Sequence, residues 1–538
     1  MVFDDLSFFS SPYFARYATT PFGLELRLLP HFTLALPQVL WGYFPPWNHA
    51  HIHRMFSLVL HISCVLVLFR LLCELLAAVN RPVNGRLPQG SADLVLPAFV
   101  GAVFFAIHPV AVYGVAYLVQ RTIIVATLFA LLSLFFFVHG LVQRKHSYII
   151  PAIAFYTLSI FSKEHSLLLP VASALALLLF KFDRQFTPRY LAAYLLGCLP
   201  AAVTVVLLAR SLIGRAYEPG MELLLAQIEG IPQMNIAGGP WLVSAITQAG
   251  LFFKYLVAWL VPDTGTMAID VRIDFAGTWT PVWIAVKVLG YAAFGALGFF
   301  LLSKGGTAAL AGFGMLFFWA MFALEFSAVR FQEPFVLYRS YLWAPGIIVA
   351  VVAVLGSLSR RAVLFLFLAA TPILVYQAHD RLNTFSSALA LWEDAASKLP
   401  PKPVPWGSRT LFGLAGEQVF AGQWDEAMQT ADRCIAQYPR TSYCYFSRGA
   451  VHLYREEYDE ALAYLDRSLA LYAKSGVAHH HRGFAMEKLG RVDEAKSAYR
   501  RAYELGFMGG LYRLNMLEEP GTGPRTIYDI HRPELDRR

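Results

Sequence analysis

Residues 122–142 read TIIVATLFALLSLFFFVHGLV, twenty-one consecutive positions without one Asp, Glu, Lys or Arg. A bilayer core about 30 Å thick is crossed by about 20 apolar residues of helix, so this stretch predicts a membrane span. Outward from it, apolar runs mark candidate spans at 54–79, 94–112, 148–162, 166–180, 190–212, 281–302, 308–328, 341–357 and 362–378, of which the short pair 148–162 and 166–180 reads as a hairpin with Ser162-Lys163-Glu164-His165 at its tip. A further apolar stretch, 241–261, carries Gln248 and Lys254 and reads as lying along the interface or re-entering. The composition agrees: 57% of the 538 residues are hydrophobic and only 15% are charged, against about a quarter charged in a soluble domain. An ordinary cytosolic enzyme, a disordered chain and a fibrous chain are excluded. The expectation is a polytopic membrane protein. Five cysteines in such a length exclude a disulfide framework.

Charge orients the spans. If ten spans alternate, Arg81, Arg86, Arg144-Lys145-His146, Lys181, Arg184, Arg189, Lys304 and Arg360-Arg361 fall on one side. An excess of Lys and Arg in short loops marks the cytoplasmic face. Residues 1–53, 213–280 and everything after 379 then face outward, together with the tips at 113–121, 163–165 and 329–340. This arrangement leaves the N-terminus outside with nothing to carry it there, and so predicts a further apolar helix encoded upstream of Met1. From residue 391 onward Lys plus Arg and Asp plus Glu number 20 each, so the whole +8 excess belongs to the apolar part. No basic-aromatic patch points to nucleic acid.

Polarity changes at about residue 379, and internal similarity begins. Trp424-Asp425-Glu426-Ala427, Tyr458-Asp459-Glu460-Ala461 and Val492-Asp493-Glu494-Ala495 recur every 34 residues. Gly449 and Gly483 share one register, Gly422 and Gly490 another, and Pro439 falls where a second helix ends. This resembles the tetratricopeptide pattern, in which small residues let two antiparallel helices pack closely. Three repeats are about the minimum for a stable stack, and the stack presents a concave surface suited to a peptide or a partner protein.

A charged residue in or beside a span is costly and is a functional candidate by default. The outward set is Asp4, Asp5, Arg27, His108, Arg121, Lys163, Glu164, Arg330 and Arg339. Cations stabilise charge on a departing phosphate, and a carboxylate takes the proton from an attacking hydroxyl. The set suits transfer from a lipid-linked phosphate.

The order of short motifs carries a resemblance. Phe3-Asp4-Asp5 opens an outer loop and is followed by Arg27 and by His61 in a helix. Then come Phe105-Ala106-Ile107-His108-Pro109, Ala116-Tyr117-Leu118-Val119-Gln120-Arg121, Leu158-Ser159-Ile160-Phe161-Ser162-Lys163-Glu164 and Tyr338-Arg339-Ser340-Tyr341-Leu342, and finally the repeats. This order resembles the transmembrane and tetratricopeptide-repeat O-mannosyltransferases and their bacterial relatives, in the GT-C superfamily of polyprenyl-phosphate-sugar-dependent glycosyltransferases. The resemblance implies that Asp4 or Asp5 is the catalytic base, with Glu164 orienting the donor phosphate or the sugar. It implies that Lys163, Arg339 and Arg121 bind the donor phosphate, and that His108, Arg27 and Tyr341 belong to the donor or acceptor site. Three places depart from the family wording: Tyr113 stands where relatives usually carry an acidic residue, Leu337-Tyr338-Arg339 where bacterial relatives usually read Glu-His-Arg, and Ser11-Pro12 where they read Asn-Pro. These departures bear on the sugar more than on the reaction.

Other signals read as structural. His49, His51 and His53 are expected to be interfacial polar residues, His479-His480-His481 a solvated helix face, and Cys434 and Cys444 buried thiols. The expected fold is all-α: a polytopic helical membrane domain of GT-C type, then a tetratricopeptide solenoid. Its parts are an outer-face catalytic loop 1–53, a transmembrane domain 54–378 that includes an outer-face segment 213–280, repeats 379–517 and a tail 518–538. The expected activity is inverting transfer of a sugar from a polyprenyl-phosphate donor to a hydroxyl, on Ser or Thr of a protein, at the periplasmic or lumenal face. The Gln120-Arg121 wording favours a bacterial inner membrane over the endoplasmic reticulum. No metal site and no obligatory cofactor is expected, although a divalent cation is compatible with the chemistry. The alternatives are a polymerase or ligase acting on lipid-linked glycan, and a non-catalytic membrane-anchored repeat scaffold.

Overall fold

The computed structural model describes residues 17, 25–41, 50–80, 94–180, 185–210, 213–214, 239–273 and 280–518. Asp4, Asp5, Ser11-Pro12 and His49 lie outside the described residues. The chain divides into two compact units, one reaching to Ser387 and one beginning at Ala388, with Arg272 grouped with the second. Among the described residues there is no strand, only an isolated antiparallel bridge between Val271 and Phe335. The fold is all-helical.

The first unit contains α1 (Leu28–Trp41), α2 (Ala50–Val79), α3 (Val95–Ala106), α4 (Pro109–Val115), α5 (Arg121–Gln143), α6 (Ile149–Ser162), α7 (Leu169–Ala174), α8 (Phe186–Ala209), α9 (Gly239–Leu260), α10 (Pro281–Leu302), α11 (Gly306–Phe322), α12 (Ala344–Leu355) and α13 (Arg360–Thr384). Among the described residues seven helices are long and apolar enough to cross a membrane: His51–Val79, Leu118–Gln143, Phe186–Ala209, Gly239–Leu260, Pro281–Leu302, Gly306–Ser327 and Arg360–Thr384. Six of the ten expected spans coincide with these. A seventh, 94–112, is the pair α3–α4, bent by 57°. The bend has a local cause: the residue before a proline is driven from the helical region, and His108 is extended at φ −71°, ψ 131°. Pro109 then restarts the helix at its first position, where the missing N–H costs nothing.

The other three expected spans are shorter helical runs, His146–Ser162, Glu164–Leu179 and Ala344–Leu355. At 1.5 Å per residue they reach only about 18–26 Å. The stretch expected to be interfacial forms a full-length helix, α9. The segment 326–340 follows it from end to end: Trp241 donates to the Phe326 carbonyl at 2.8 Å, Gln248 to the Pro334 carbonyl at 2.8 Å and Trp259 to the Ser340 hydroxyl at 2.9 Å.

Close backbone approach sets the packing of α11. A Cβ on Gly314 would lie 2.4 Å from the Gly346 carbonyl of α12, and one on Gly312 would lie 2.5 Å from the Gly298 carbonyl of α10. Small residues at such crossings are how apolar helices associate where water gives no driving force. The outer helices turn large apolar side chains outward: Val282 is 70% exposed, Phe365 71% and Leu368 68%.

The second unit is a run of antiparallel helices: α14 (Ala388–Ser397), α15 (Gly407–Phe420), α16 (Trp424–Gln437), α17 (Ser442–Tyr454), α18 (Tyr458–Leu471), α19 (Gly476–Lys488), α20 (Val492–Glu504) and α21 (Met508–Glu518). The 34-residue period is reproduced in space. Ala427, Ala461 and Ala495 are all fully buried, and a Cβ on Gly449 or Gly483 would lie 2.9 Å from Leu465 or Tyr499 on the paired helix. Ion pairs repeat too, Arg448 with Asp432 and Arg482 with Asp466.

Two expectations are corrected here. Cys434 and Cys444 are not free thiols but a disulfide: the turn at Pro439 brings their Cα atoms to 5.2 Å, inside the range of about 4.4–6.8 Å that the bond allows. His480 and His481 are buried rather than solvated, because α19 packs between α18 and α20 and leaves those positions facing neighbours.

Candidate functional site

The site is assembled at the tip between α6 and the turn Glu164–Ser166. Helix α6 ends because Lys163 is extended, at φ −156°, ψ 121°. The turn is fixed by Ser159, whose hydroxyl donates to the Ala126 carbonyl at 2.7 Å and lies 2.7 Å from the Ser166 hydroxyl. The start of α1 docks on the same tip: the Arg27 N–H donates to the Phe161 carbonyl at 2.7 Å. From there the Arg27 guanidinium forks onto Glu164, at 2.6 Å and 3.2 Å to its two oxygens. Such planar two-point pairs are the strongest kind of charged hydrogen bond.

A chain of ionisable groups continues inward. His165 Nε2 lies 3.1 Å from Glu325, whose other oxygen is 3.5 Å from Arg330 and 3.4 Å from Arg339. Arg339 also reaches Glu333 at 3.3 Å. Glu325 is only 1% exposed on its side chain. Three of the expected donor-site residues, Arg27, Lys163 and Glu164, thus meet at one tip, and Arg339 joins them through Glu325 and His165. Sequence reading missed His165, Glu325 and Glu333. Glu325 was legible as the lone acid at the end of an apolar span, by the same rule that selected the others.

Lys163 differs from its neighbours. It is 6% exposed, and among the described residues no carboxylate lies within ion-pair distance and no acceptor takes its N–H groups. The adjacent carboxylate is spent on Arg27. Burial, and then the charges of Arg27, Arg339 and Arg330, pull the Lys163 ammonium down to about 7 against the pull of Glu164. Burial alone would raise the Glu164 carboxyl, but Arg27, His165 and Lys163 hold it well below the carboxylate range. Burial also lowers His31 on α1 to about 3, helped by Arg27 and Lys163. Arg339 is held charged: burial opposes it, and Glu325, Tyr338 and Glu333 outweigh burial. Lys163 therefore sits in the field of three guanidiniums, and the one carboxylate that attracts it, Glu164, is already engaged by Arg27. Burying an uncompensated charge costs several kcal/mol, and an arriving phosphate would remove that cost.

The remaining expected site residues are engaged elsewhere. Arg121 is fully buried, donating to the carbonyls of Thr33 at 2.8 Å and His53 at 2.7 Å and to the Ser57 hydroxyl at 3.2 Å. His53 is thereby part of the interior and not an interfacial histidine. The His108 ring accepts the Val110 N–H at 3.3 Å, closing the start of α4, and stacks on Trp259 with centroids 4.3 Å apart. The Tyr341 hydroxyl lies 2.6 Å from His61 in the core. Tyr113 places its hydroxyl 3.4 Å from Arg381. Among the described residues no group of three or more His, Cys, Asp or Glu is arranged to hold a metal ion.

Comparison with known proteins identifies one element. Residues 411–441 match the tetratricopeptide-repeat family, so the second unit contains that repeat. No curated protein matches the chain. Among solved structures, the first tetratricopeptide domain of Spaghetti (RPAP3) bound to the HSP90 peptide SRMEEVD is similar at 20% identity. It covers 21% of this chain and 90% of its own, at a TM-score of 0.20.

Proposed function

We propose that the chain is an integral-membrane glycosyltransferase that moves a sugar from a polyprenyl-phosphate donor to a hydroxyl acceptor at the outer face of a bacterial inner membrane. The observation that carries this reading is Lys163, a buried ammonium without a counter-ion beside Arg27, Arg330 and Arg339. The exposed apolar side chains of α10 and α13 support the membrane, since contiguous apolar surface of that kind is unstable in water. Both ends of α9 touch the tip 329–340 that the charge distribution puts outside, the Arg330 N–H donating to the Ser244 hydroxyl at 2.8 Å and Trp259 to the Ser340 hydroxyl at 2.9 Å. That supports an interfacial or re-entrant course. The disulfide supports an oxidising compartment for the repeats.

In the proposed reaction the acceptor oxygen bonds to the anomeric carbon while the bond from that carbon to the phosphate oxygen breaks. The electron pair leaves with polyprenyl phosphate, whose charge Lys163 and the guanidiniums stabilise. The hydroxyl proton passes to Asp4 or Asp5, which lie outside the described residues. Glu164, forked by Arg27, suits orientation of the cations better than proton transfer. The repeats would present a protein acceptor.

The repeat match favours a second reading, a membrane-anchored scaffold that binds a partner and catalyses nothing. One assay separates these. The purified full chain in liposomes is given a radiolabelled polyprenyl-phosphate sugar, a candidate secreted protein and a lipid-linked glycan. Label in an acid-precipitable, protease-sensitive product is the expected result. Chloroform-extractable label would move the acceptor to lipid-linked glycan, and label left entirely on the donor would favour the scaffold.

A further inference from the structure

A second unpaired cation lies away from the Lys163 tip. Lys254 sits two-thirds of the way along α9 and lines a cavity of about 400 Å³. Its Nζ rests 4.6 Å from the Phe335 ring centroid. Among the described residues no carboxylate comes within ion-pair distance of it. Val257, Ala258 and Val261 follow at the third, fourth and seventh positions, so they share its helix face and line the same cavity. Met267 and Leu337 form part of the opposite wall. The rim is apolar and open: Val257 is 57% exposed and Val261 69%. Of the other polar lining groups, one oxygen of the exposed Asp263 carboxylate accepts the Gly265 N–H at 2.9 Å and Thr266 donates to the Asp263 carbonyl at 3.0 Å. The cavity thus carries one cation at Lys254 and one carboxylate, and an anionic group is drawn to the Lys254 end.

A cavity entered through exposed valines does not select a water-borne ligand, and a half-buried ammonium without a counter-ion does not select a neutral one. We infer that this groove binds an anionic membrane phospholipid, its phosphodiester against Lys254 and an acyl chain along Val257 and Val261. The volume lies in the range of about 300–1,000 Å³ usual for small-molecule sites. The inference rests on the membrane part of the reading above and not on its chemistry. The phenyl ring of Phe335 holds the cation in place while its N–H groups stay available to phosphate oxygens.

The test is native mass spectrometry of the full chain, purified in a non-ionic detergent and titrated with phosphatidylglycerol or phosphatidylcholine. Both lipids carry the phosphodiester, but in phosphatidylcholine a trimethylammonium offsets its charge and is repelled by Lys254, so wild type is expected to retain one phosphatidylglycerol in preference to phosphatidylcholine by about tenfold. Lys254→Met is expected to erase that preference. Ala258→Trp, which fills the groove and keeps the cation, is expected to lose retention of both lipids. Lys163→Ala is expected to leave retention unchanged, which separates this site from the proposed donor site. Equal retention of the two lipids by wild type, or an undiminished preference in Lys254→Met, would overturn the inference. So would full retention by Ala258→Trp.

Discussion

Lys163 makes the site sensitive to pH in a direction that can be worked out. Its pKa without ligand is about 7, and a bound phosphate raises it, so binding takes up a proton once the pH exceeds that value. Affinity for a polyprenyl-phosphate sugar, whose phosphodiester does not titrate in this range, is therefore steady below about pH 7 and falls above it, by up to about tenfold per pH unit. Lys163→Arg, whose guanidinium stays charged, is expected to flatten the profile. Isothermal titration across pH 6–9 reads both, and a wild-type affinity that rises with pH would contradict the assignment. Glu325 makes a different point. It is buried between His165, Arg330 and Arg339, so Glu325→Gln would leave buried guanidiniums facing each other, at a cost of about 3–5 kcal/mol. Glu333 is 24% exposed on its side chain, and Glu333→Gln is expected to cost about 1 kcal/mol or less. Thermal melts of the two variants in detergent check the ranking.

At the scale of elements, the repeats were legible because their signal is local and periodic. Gly449 and Gly483 announced the close crossing that the helices make. One position was not announced. Gly422 and Gly490 have φ of +75° and +76°, and the residue between them in register is Glu456, at +62°. A side chain in that conformation costs about 1–2 kcal/mol, and glycine's own entropy cost is smaller. Glu456→Gly is therefore expected to stabilise the second unit by about 0.5–1 kcal/mol, seen as a raised unfolding midpoint. A lowered midpoint would show that the Glu456 side chain contributes more than its strain removes. The membrane helices were less legible. Hydropathy placed Lys163 and Arg339 at the ends of apolar runs and marked 148–162 and 166–180 as short, but it does not measure helix length across Pro109 or Lys163. It therefore gave ten spans where the described residues hold seven long helices, one bent pair and three shorter runs. Cys434 and Cys444 were misread because ten residues of separation do not reveal the turn that joins them.

For the whole molecule, the disulfide makes orientation measurable. If the second unit lies in an oxidising compartment, Cys434 and Cys444 will resist maleimide labelling of the denatured chain until reductant is added, a difference of two labels. Labelling of both without reductant would put the repeats in the cytoplasm. The charge distribution, the exposed apolar helices and the buried cation all bear on one claim: that Lys163 receives the phosphate of a lipid-linked sugar. The direct measurement is the rate of sugar transfer from a synthetic polyprenyl-phosphate sugar by purified wild type and by Lys163→Ala, at saturating acceptor. Losing one group that stabilises charge on the leaving phosphate is expected to slow transfer by about 10²–10³. Equal rates in the two proteins would contradict the account.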